Sequence, residues 1–409
     1  MKKFLSVFLA AVLAVGAGGC GKAPAPANSG VSGTAVSQPA RTGSAEIDAA
    51  ALKPHEIELT YDAGLKPENL PSKDYVLENI QNGKKSARAA LHGACLDMSG
   101  QNIYYVYVNW EDVDMADISH GYVVDRKSLK DGSAEQLYRY ENDKEQMVQV
   151  PSICCAGNCL MWDEITDESS SLIKFDLSQK KKTAIGTYEG FLFSSPEVSV
   201  IKNRFYWFGG VRGDNGKRSG FELFRYDPEN GDAARVNTGN SLSEESCRGM
   251  VPDSGTSLVY RTKENGNYFL NIRAADSDES FRVKTGEPEI SVYNTDGRYA
   301  AWYDETKNLY LLDLQSRKLY HYGDSKKILG IYDFVFSGSE LYFEIGGKLA
   351  AVDFSNNKIV NRFLYDESFH HYHLSSFGGG LYTFGTNRNK QNILKIITPQ
   401  SGAQTAPGL

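Results

Sequence analysis

The chain has 409 residues and a formal net charge of −7 at pH 7. An acidic chain does not offer the basic surface that nucleic-acid binding requires, so this class of function is excluded. Its 24 Tyr, 19 Phe and 39 Gly, with little helical periodicity, are typical of a protein built from many strands and turns.

Residues 1–19 have the features of a bacterial signal peptide. Two lysines follow Met1, an apolar run extends from Phe4 to Val15, and small residues lead to Cys20. The apolar run is too short to span about 30 Å of hydrocarbon at about 1.5 Å per residue, which favours cleavage over a retained helix.

The end of this leader, Ala17-Gly18-Gly19-Cys20, resembles the lipobox of bacterial lipoproteins, with Ala17 at the position where leucine is commonest. The resemblance implies that Cys20 becomes the first residue, carries acyl chains such as palmitate, and anchors an extracytoplasmic protein by lipid alone. Gly21 after Cys20 implies the outer membrane if the host has one, and otherwise the cell surface. The alternative is an ordinary secreted protein, cut near Ala17, in which Cys20 is a passive thiol.

Residues 20–52 comprise the lipidated cysteine and a predicted flexible tether, because Ala, Pro, Ser, Gly and Thr dominate them. A flexible segment of about 30 residues has a root-mean-square span of about 30 Å. Deleting residues up to 50 is therefore expected to leave folding unchanged. No later segment has 18 consecutive apolar residues, so the acyl chains are the only membrane contact that we expect.

A short apolar run that usually ends in an aromatic residue recurs between residues 53 and 398. Seven copies end at Tyr105, Trp162, Trp207, Tyr260, Trp302, Phe343 and Thr383, at spacings of 40 to 57 residues. A second type of run follows most copies and ends near an aspartate, at Asp125, Asp176, Asp227, Asp313 and Asp353. The order of strand types is the same in successive units, as in repeat architectures.

These repeats predict an all-β fold, a β-propeller with seven blades of four-stranded antiparallel sheet, because such a unit cannot bury both faces of its sheet alone. Six or eight blades remain alternatives. The last unit lacks one strand before the polar tail at 399–409. We therefore expect an N-terminal strand, within Ile57 to Tyr61 or Tyr75 to Asn79, to pair with Ile393 to Ile397 and close the ring.

Residues 294–302, which read Asn-Thr-Asp-Gly-Arg-Tyr-Ala-Ala-Trp, resemble the repeat of TolB-type and related WD-like propellers. In those repeats a turn containing Asp-Gly and a basic residue leads into an apolar strand with an aromatic end. Residues 252–260 are a looser copy. The resemblance covers most of residues 87–397 and implies the propeller fold, whose domain we place at residues 53–398 with the closing N-terminal strand; such propellers in bacterial envelopes usually serve as interaction platforms.

Five cysteines follow Cys20, and the candidates for disulfide bonds are Cys95, Cys154, Cys155 and Cys159. Cys155 and Cys159 flank a tight turn, and Cys95 and Cys154 could link adjacent blades. Buried thiols that behave as small apolar residues are the alternative. A metal site formed by Cys155, Cys159, His92 and Cys95 lacks the ligand spacing of zinc sites, so no metal or other cofactor is expected.

Polar residues on the predicted innermost strands are candidates to line the axial channel: Glu197, Arg248, Glu289, Asp333 and His371. His371 and His373 alternate with Tyr372, which predicts that both face one side of their strand. No nucleophile, metalloprotease or phosphate-loop motif accompanies these residues.

The sequence therefore favours a lipid-anchored binding or scaffold module of the bacterial envelope, with a protein partner and no strong signal for oligomerisation. The alternatives are a propeller enzyme acting on envelope or dietary glycans, and a small-ligand receptor. A binding platform should present an apolar or aromatic patch on one face of the ring, whereas an enzyme should present convergent carboxylates in an axial pocket.

Overall fold

The computed structural model describes residues 44–58, 68–69, 71–78, 88–97, 99–113, 116–141, 148–150, 152–166, 169–189, 198–212, 218–236, 257–275, 279–323, 331–338, 340–345, 348–354, 358–363, 370–377, 380–387 and 389–398. These ranges contain 31 strands and one turn of 3-10 helix, Ala49–Ala51. The strands form seven sheets.

Four short strands precede the repeats, and we call them the belt. They are β1 (Ser44–Asp48), β2 (His55–Glu58), β3 (Glu68–Asn69) and β4 (Ser72–Val76). They form no sheet of their own, because each pairs with a different blade.

The first three blades follow in chain order. Blade 1 contains β5 (Arg88–Leu96), β6 (Asn102–Val113), β7 (Ala116–Ser128) and β8 (Ala134–Glu141). Blade 2 contains β9 (Val148–Gln149), β10 (Ile153–Ala156), β11 (Cys159–Thr166), β12 (Ser169–Asp176) and β13 (Lys181–Glu189). Blade 3 contains β14 (Ser199–Ile201), β15 (Arg204–Arg212), β16 (Arg218–Asp227) and β17 (Asp232–Val236). In blade 2, β9 and β10 are two parts of one inner strand, since both pair with β11.

The remaining four blades complete the ring. Blade 4 contains β18 (Ser257–Glu264), β19 (Asn267–Ala274) and β20 (Ser280–Gly286). Blade 5 contains β21 (Ile290–Thr295), β22 (Tyr299–Asp304), β23 (Leu309–Asp313) and β24 (Lys318–Gly323). Blade 6 contains β25 (Ile331–Ser337), β26 (Glu340–Ile345), β27 (Lys348–Asp353) and β28 (Lys358–Phe363). Blade 7 contains β29 (His370–Phe377), β30 (Gly380–Thr386) and β31 (Asn392–Ile397).

The predicted seven-bladed β-propeller is confirmed, and the seven aromatic runs are the second strands of the seven blades. These strands are buried on both faces because a blade packs against each side of them. In β11, for example, the first five residues are all buried. A continuous apolar run, rather than an alternating one, is the expected pattern for such a strand.

Buried apolar clusters fill the spaces between adjacent blades all the way round the ring. Trp162 and Phe175 of blade 2 pack with Tyr104 of blade 1, and Tyr382 of blade 7 packs with Tyr105 of blade 1. The last blade is thus joined to the first by the same kind of apolar contact that joins the others, which closes the ring.

The predicted N-terminal closing strand is confirmed, and of the two candidates it is the one that contains Tyr75. β4 pairs antiparallel with β31, with Tyr75 opposite Leu394. The hydroxyl of Tyr107 in blade 1 donates to the carbonyl of Leu77 at 2.6 Å, so the segment after β4 ties the two ends of the ring together.

The other belt strands lie on the outer edges of the preceding blades. β1 pairs parallel with β20 of blade 4, β2 with β24 of blade 5, and β3 with β28 of blade 6. Ile57, the other candidate for closure, therefore pairs with Tyr322 on blade 5. β1 and the helical turn lie within residues 20–52. The folded belt therefore begins inside the range that is predicted to be tether.

The recurrent aspartate at the end of the third strand has a structural role. Asp227 accepts a hydrogen bond from the Glu229 amide at 3.0 Å, and Asp313 accepts one from the Gln315 amide at 3.0 Å. Asp176 makes the same contact with the Ser178 amide at 2.9 Å. These side chains therefore stabilise the turns between third and fourth strands.

Because of the aspartates in these turns, we expect the free energy of unfolding to depend on pH. Burial raises the pKa of Asp227 and Asp313, but hydrogen bonds, and the charges of Arg204 and Arg298, outweigh it, and both pKa values are lowered. Their stabilisation is thus present above the unfolded-state pKa, about 3.9, and is lost as the pH falls through the lowered values. We expect the double variant Asp227→Asn, Asp313→Asn to lose less stability than the wild type between pH 5 and pH 3, in urea unfolding at each pH. Equal losses would contradict this role.

Candidate functional site

The two faces of the ring differ in their connections. We call the face at which the inner strands begin the upper face, and the opposite face the lower face. On the lower face the first and second strands are joined by short turns such as 157–158, 202–203 and 296–298. Successive blades are connected at the upper face, where, for example, β8 ends at Glu141 and β9 begins at Val148. Long connections on a rigid scaffold are where binding residues concentrate.

One extra residue occurs near the start of the inner strand in every blade in which the structure describes this part. Each extra residue faces the two positions that follow the aromatic run of the second strand. It is His92 in blade 1, one of residues 150–152 in blade 2, Ser291 in blade 5, one of residues 332–333 in blade 6, and Tyr372 in blade 7.

These β-bulges form a series at one level around the axis, which we call the bulge ring. A bulge interrupts the ladder, bends the strand and re-aims a side chain, and bulges are frequent next to functional sites. The same interruption in five blades therefore marks the upper end of the axis as the candidate functional site.

Three of the predicted axial residues lie at the bulge ring. Glu289 directly precedes β21, Asp333 is within the bulge of β25, and His371 is next to the bulge of β29. Since β25 contacts both β21 and β29, these residues lie on adjacent inner strands. The other two predicted residues, Glu197 and Arg248, are outside the described residues.

The alternation proposed for the histidines of β29 does not hold. His371 is paired with Gly385 and His373 with Phe384, which are consecutive residues of β30. Residue 372 is the extra residue between them. A bulge interrupts the two-residue periodicity on which the prediction for His371 and His373 rests, and the directions of their side chains lie outside what the structure describes.

A buried arginine that is not among the predicted site residues holds one of them in place. Arg261 of β18 is 6% exposed, and its Nη1 donates to Glu289 Oε1 at 3.1 Å and to the Ile290 carbonyl. Its guanidinium carbon lies 5.4 Å from the ring centroid of Tyr268. The pair joins blades 4 and 5 and fixes the half-exposed Glu289 carboxylate beside the bulge ring. The signal in the sequence was an arginine directly after the aromatic residue of a buried strand.

Blade 1 contributes a histidine to the same level. Burial lowers the pKa of His92, so its imidazole is neutral at pH 7. The next residue, Gly93, approaches blade 2 so closely that an added Cβ would lie 3.3 Å from the backbone nitrogen of Ile153. The inner strands of blades 1 and 2 are therefore in tight contact at the bulge ring.

The structure contains no disulfide among Cys95, Cys154, Cys155 and Cys159. Cys155 is paired with Leu160, whereas Cys159 is paired with Ala156, so the two thiols point to opposite faces of their hairpin. Cys95 packs with Cys155 between blades 1 and 2, whereas Cys154 packs between blades 2 and 3. The structure thus brings together neither of the two predicted pairs. Burial raises the pKa of Cys155 and of Cys159, as expected for thiols in apolar surroundings.

Within the described ranges, no group of three or more His, Cys, Asp or Glu side chains is arranged to hold a metal ion. The described part of the chain also contains no helix long and apolar enough to cross a membrane. Cys20, the predicted lipid attachment site, lies outside the described residues.

No protein-family model matches the chain, and no curated protein matches it. Among solved structures, it is similar to the β-propeller domain of the Trilobed protease from Pyrococcus furiosus, with 11% identity, a TM-score of 0.49, and coverage of 80% of this chain and 97% of that one. It is also similar to TolB from Acinetobacter baumannii, with 13% identity, a TM-score of 0.35, and coverage of 58% of this chain and 55% of that one. Both resemblances concern propellers, and the fold assignment for this chain rests on its own sheet topology.

Proposed function

We propose that this chain is a lipid-anchored, extracytoplasmic β-propeller of a bacterial envelope, which binds a protein partner through its upper face and is not an enzyme. The leader and Cys20 support the anchor and the address, which is the outer membrane if the host has one and otherwise the cell surface.

The bulge ring is the observation that carries the proposal for the upper face. Bulges cost ladder hydrogen bonds, and five of them at one level are unexpected in sheets whose only role is to close a ring. The lower face has the opposite character, because its turns are short and held by aspartate side chains.

The chemistry of the site suits a polar contact. Glu289 is oriented by a buried arginine and keeps part of its carboxylate exposed, with Asp333 and His371 on the next two inner strands. Groups of this kind accept hydrogen bonds from lysine, arginine or amide donors. We therefore expect the partner to present donor groups to the axis.

Two serines of blade 5 provide a matched test, because both are exposed and lie at opposite faces. Ser291 is in the bulge ring, and Ser316 is in the turn between the third and fourth strands. With p-benzoylphenylalanine in place of Ser291, we expect irradiation of whole cells to give one discrete protein adduct. The same replacement at Ser316 should give none.

Addition of Glu289→Gln to the variant with p-benzoylphenylalanine at position 291 should lower the yield of the adduct, since it removes the charge that Arg261 orients. Equal adducts from both faces, or no adduct at position 291, would contradict binding through the upper face. Release of sugars from host glycans by the purified protein would instead favour the enzyme alternative.

A further inference from the structure

The belt recognises the outer edges of the blades by charge. Five of the acidic residues in the belt strands are register partners of a basic residue. The pairs are Glu46 with Arg282, Asp48 with Lys284, Glu56 with His321, Glu68 with Arg362, and Asp74 with Lys395. Opposite charges directly across a ladder stabilise the pairing and specify its register.

On blades 4 and 5 the basic residue at this level of the outer strand has two partners, one from its own blade and one from the belt. Arg282 binds Glu264 of its own blade at 2.6 Å and Glu46 of the belt at 3.3 Å. His321 contacts Asn308 of its own blade at 3.0 Å and Glu56 of the belt at 2.6 Å.

In blade 5 this residue, His321, is the end of a row of stacked rings across the sheet. Trp302 stacks on Tyr310 with centroids 5.2 Å apart, and Tyr310 stacks on His321 at 4.8 Å. The three residues are register partners on the second, third and fourth strands.

Blade 3 has the same row but no belt strand. Trp207 stacks on Phe224 at 5.8 Å, and Phe224 is the register partner of Arg235 on the outer strand β17. Arg235 contacts Glu222 of its own blade. Its side chain is 59% exposed, against 28% for Arg282 and 18% for His321, which the belt covers. Among the described strands, β17 pairs only with β16.

The other two fourth strands that carry no belt strand are protected against pairing. β8 of blade 1 contains an extra residue, Leu137, and β13 of blade 2 contains Ile185, so both edges are bulged. Bulges of this kind prevent the addition of a further strand. Their residues at the position of Arg235 are Gln136 and Ala184, which carry no charge. Among the described fourth strands of the blades themselves, β17 is therefore the one that is open, regular and equipped with a cation.

The part of the predicted tether that precedes the belt cannot supply the missing carboxylate. Residues 21–43, which precede the belt, contain no aspartate or glutamate. We propose that β17 binds an extended, acidic segment of a partner protein, which adds parallel to β17 and places a carboxylate opposite Arg235. This rim site continues the belt interface by one blade and is separate from the upper face.

A peptide with the sequence of residues 44–52, with photo-leucine in place of Ile47, is the probe for this site. After irradiation with the full chain, we expect adducts on residues 232–236, mapped by mass spectrometry. Labelling there should fall about threefold with Arg235→Gln, and by a similar factor when the two carboxylates of the peptide are replaced by amides, as expected for one exposed charge pair across a ladder. Arg139→Gln on the bulged strand β8 is the matched control and should leave the labelling unchanged.

Labelling confined to residues 280–286 would show that the peptide only replaces β1 in blade 4, and this result would overturn the proposal. Labelling at β17 that does not depend on Arg235 would overturn it as well.

A second experiment tests the same site in cells. There, p-benzoylphenylalanine in place of the exposed Ala233 should give an adduct that Arg235→Glu removes. The same group in place of the exposed Thr183 on β13 should give none. An adduct from Ala233 that persists in Arg235→Glu would also overturn the proposal. The variants at Ser291 report on the upper face independently.

Discussion

Removal of residues up to 78 from the mature protein is expected to lower its free energy of unfolding by several kcal/mol. This deletion removes the whole belt, including Ile47, Tyr75 and Leu77, which are 3%, 8% and 2% exposed. Full burial of a large apolar side chain contributes about 1.5–3 kcal/mol. Domains of this kind have a total stability of about 5–15 kcal/mol, so the loss is a large part of it. Urea unfolding followed by tryptophan fluorescence measures the change.

A series of shorter deletions separates the belt strands. A chain that begins at Ser44 should be as stable as the mature protein. A chain that begins at Pro54 loses β1 and should be less stable by about 1.5–3 kcal/mol, the contribution of Ile47. A tether over residues 20–52 predicts that removal up to residue 50 has no cost, but β1 ends at Asp48, so that deletion should already destabilise the protein.

The largest single step should come between a chain that begins at Pro71 and one that begins at Asn79, because β4 is what closes the ring. Opening the ring leaves β31 as an edge strand and uncovers Leu394 and Ile396, which pack between blades 7 and 1. Deletion of residues 399–409 is the matched control and should change nothing. If the chain that begins at Asn79 unfolds at the same urea concentration as the one that begins at Ser44, β4 does not close the ring.

How well each strand could be predicted from the sequence depends on how many of its faces are buried. The second strands lie between two neighbouring blades, so their apolar runs are continuous, and every predicted copy ends within a second strand. The belt strands pair with outer edges and have one exposed side, so a run such as His55-Glu56-Ile57-Glu58 carries little apolar signal. Alanine-rich residues 44–52 share the composition of the tether, which concealed β1.

The candidate site was only partly predictable, because it depends on register. The sequence indicates that Glu289, Asp333 and His371 lie on inner strands. The extra residue in each of those strands, however, is defined only by how the first strand pairs with the second strand of its blade. Likewise, the contact between Arg261 and Glu289 joins two blades, and no local pattern specifies which residue of blade 4 faces the start of blade 5.

The anchor is the second feature for which we expect a large effect, since Cys20→Ala should move the protein from the membrane fraction to the soluble fraction. One acyl chain gives only marginal membrane binding, whereas two or three give stable attachment, each buried methylene contributing about 0.8 kcal/mol. The substitution removes all of the chains at once because they share one residue. Residues 21–43, which follow, carry Lys22 and Arg41 as their only charged residues, too few for stable electrostatic binding.

Gly21→Ala, which keeps the cysteine, is the matched control and should leave the protein in the membrane fraction. Partitioning into Triton X-114, followed by immunoblotting, measures both variants against the wild type. A Cys20→Ala protein that still enters the detergent phase would require a second membrane contact. A soluble Cys20→Ala protein would allow the photo-crosslinking variants at Ser291 and Ala233 to be compared with and without the anchor. Adducts that then disappear from both positions would mean that the partners are reached only at the membrane surface, since the folded domain is unchanged by the substitution.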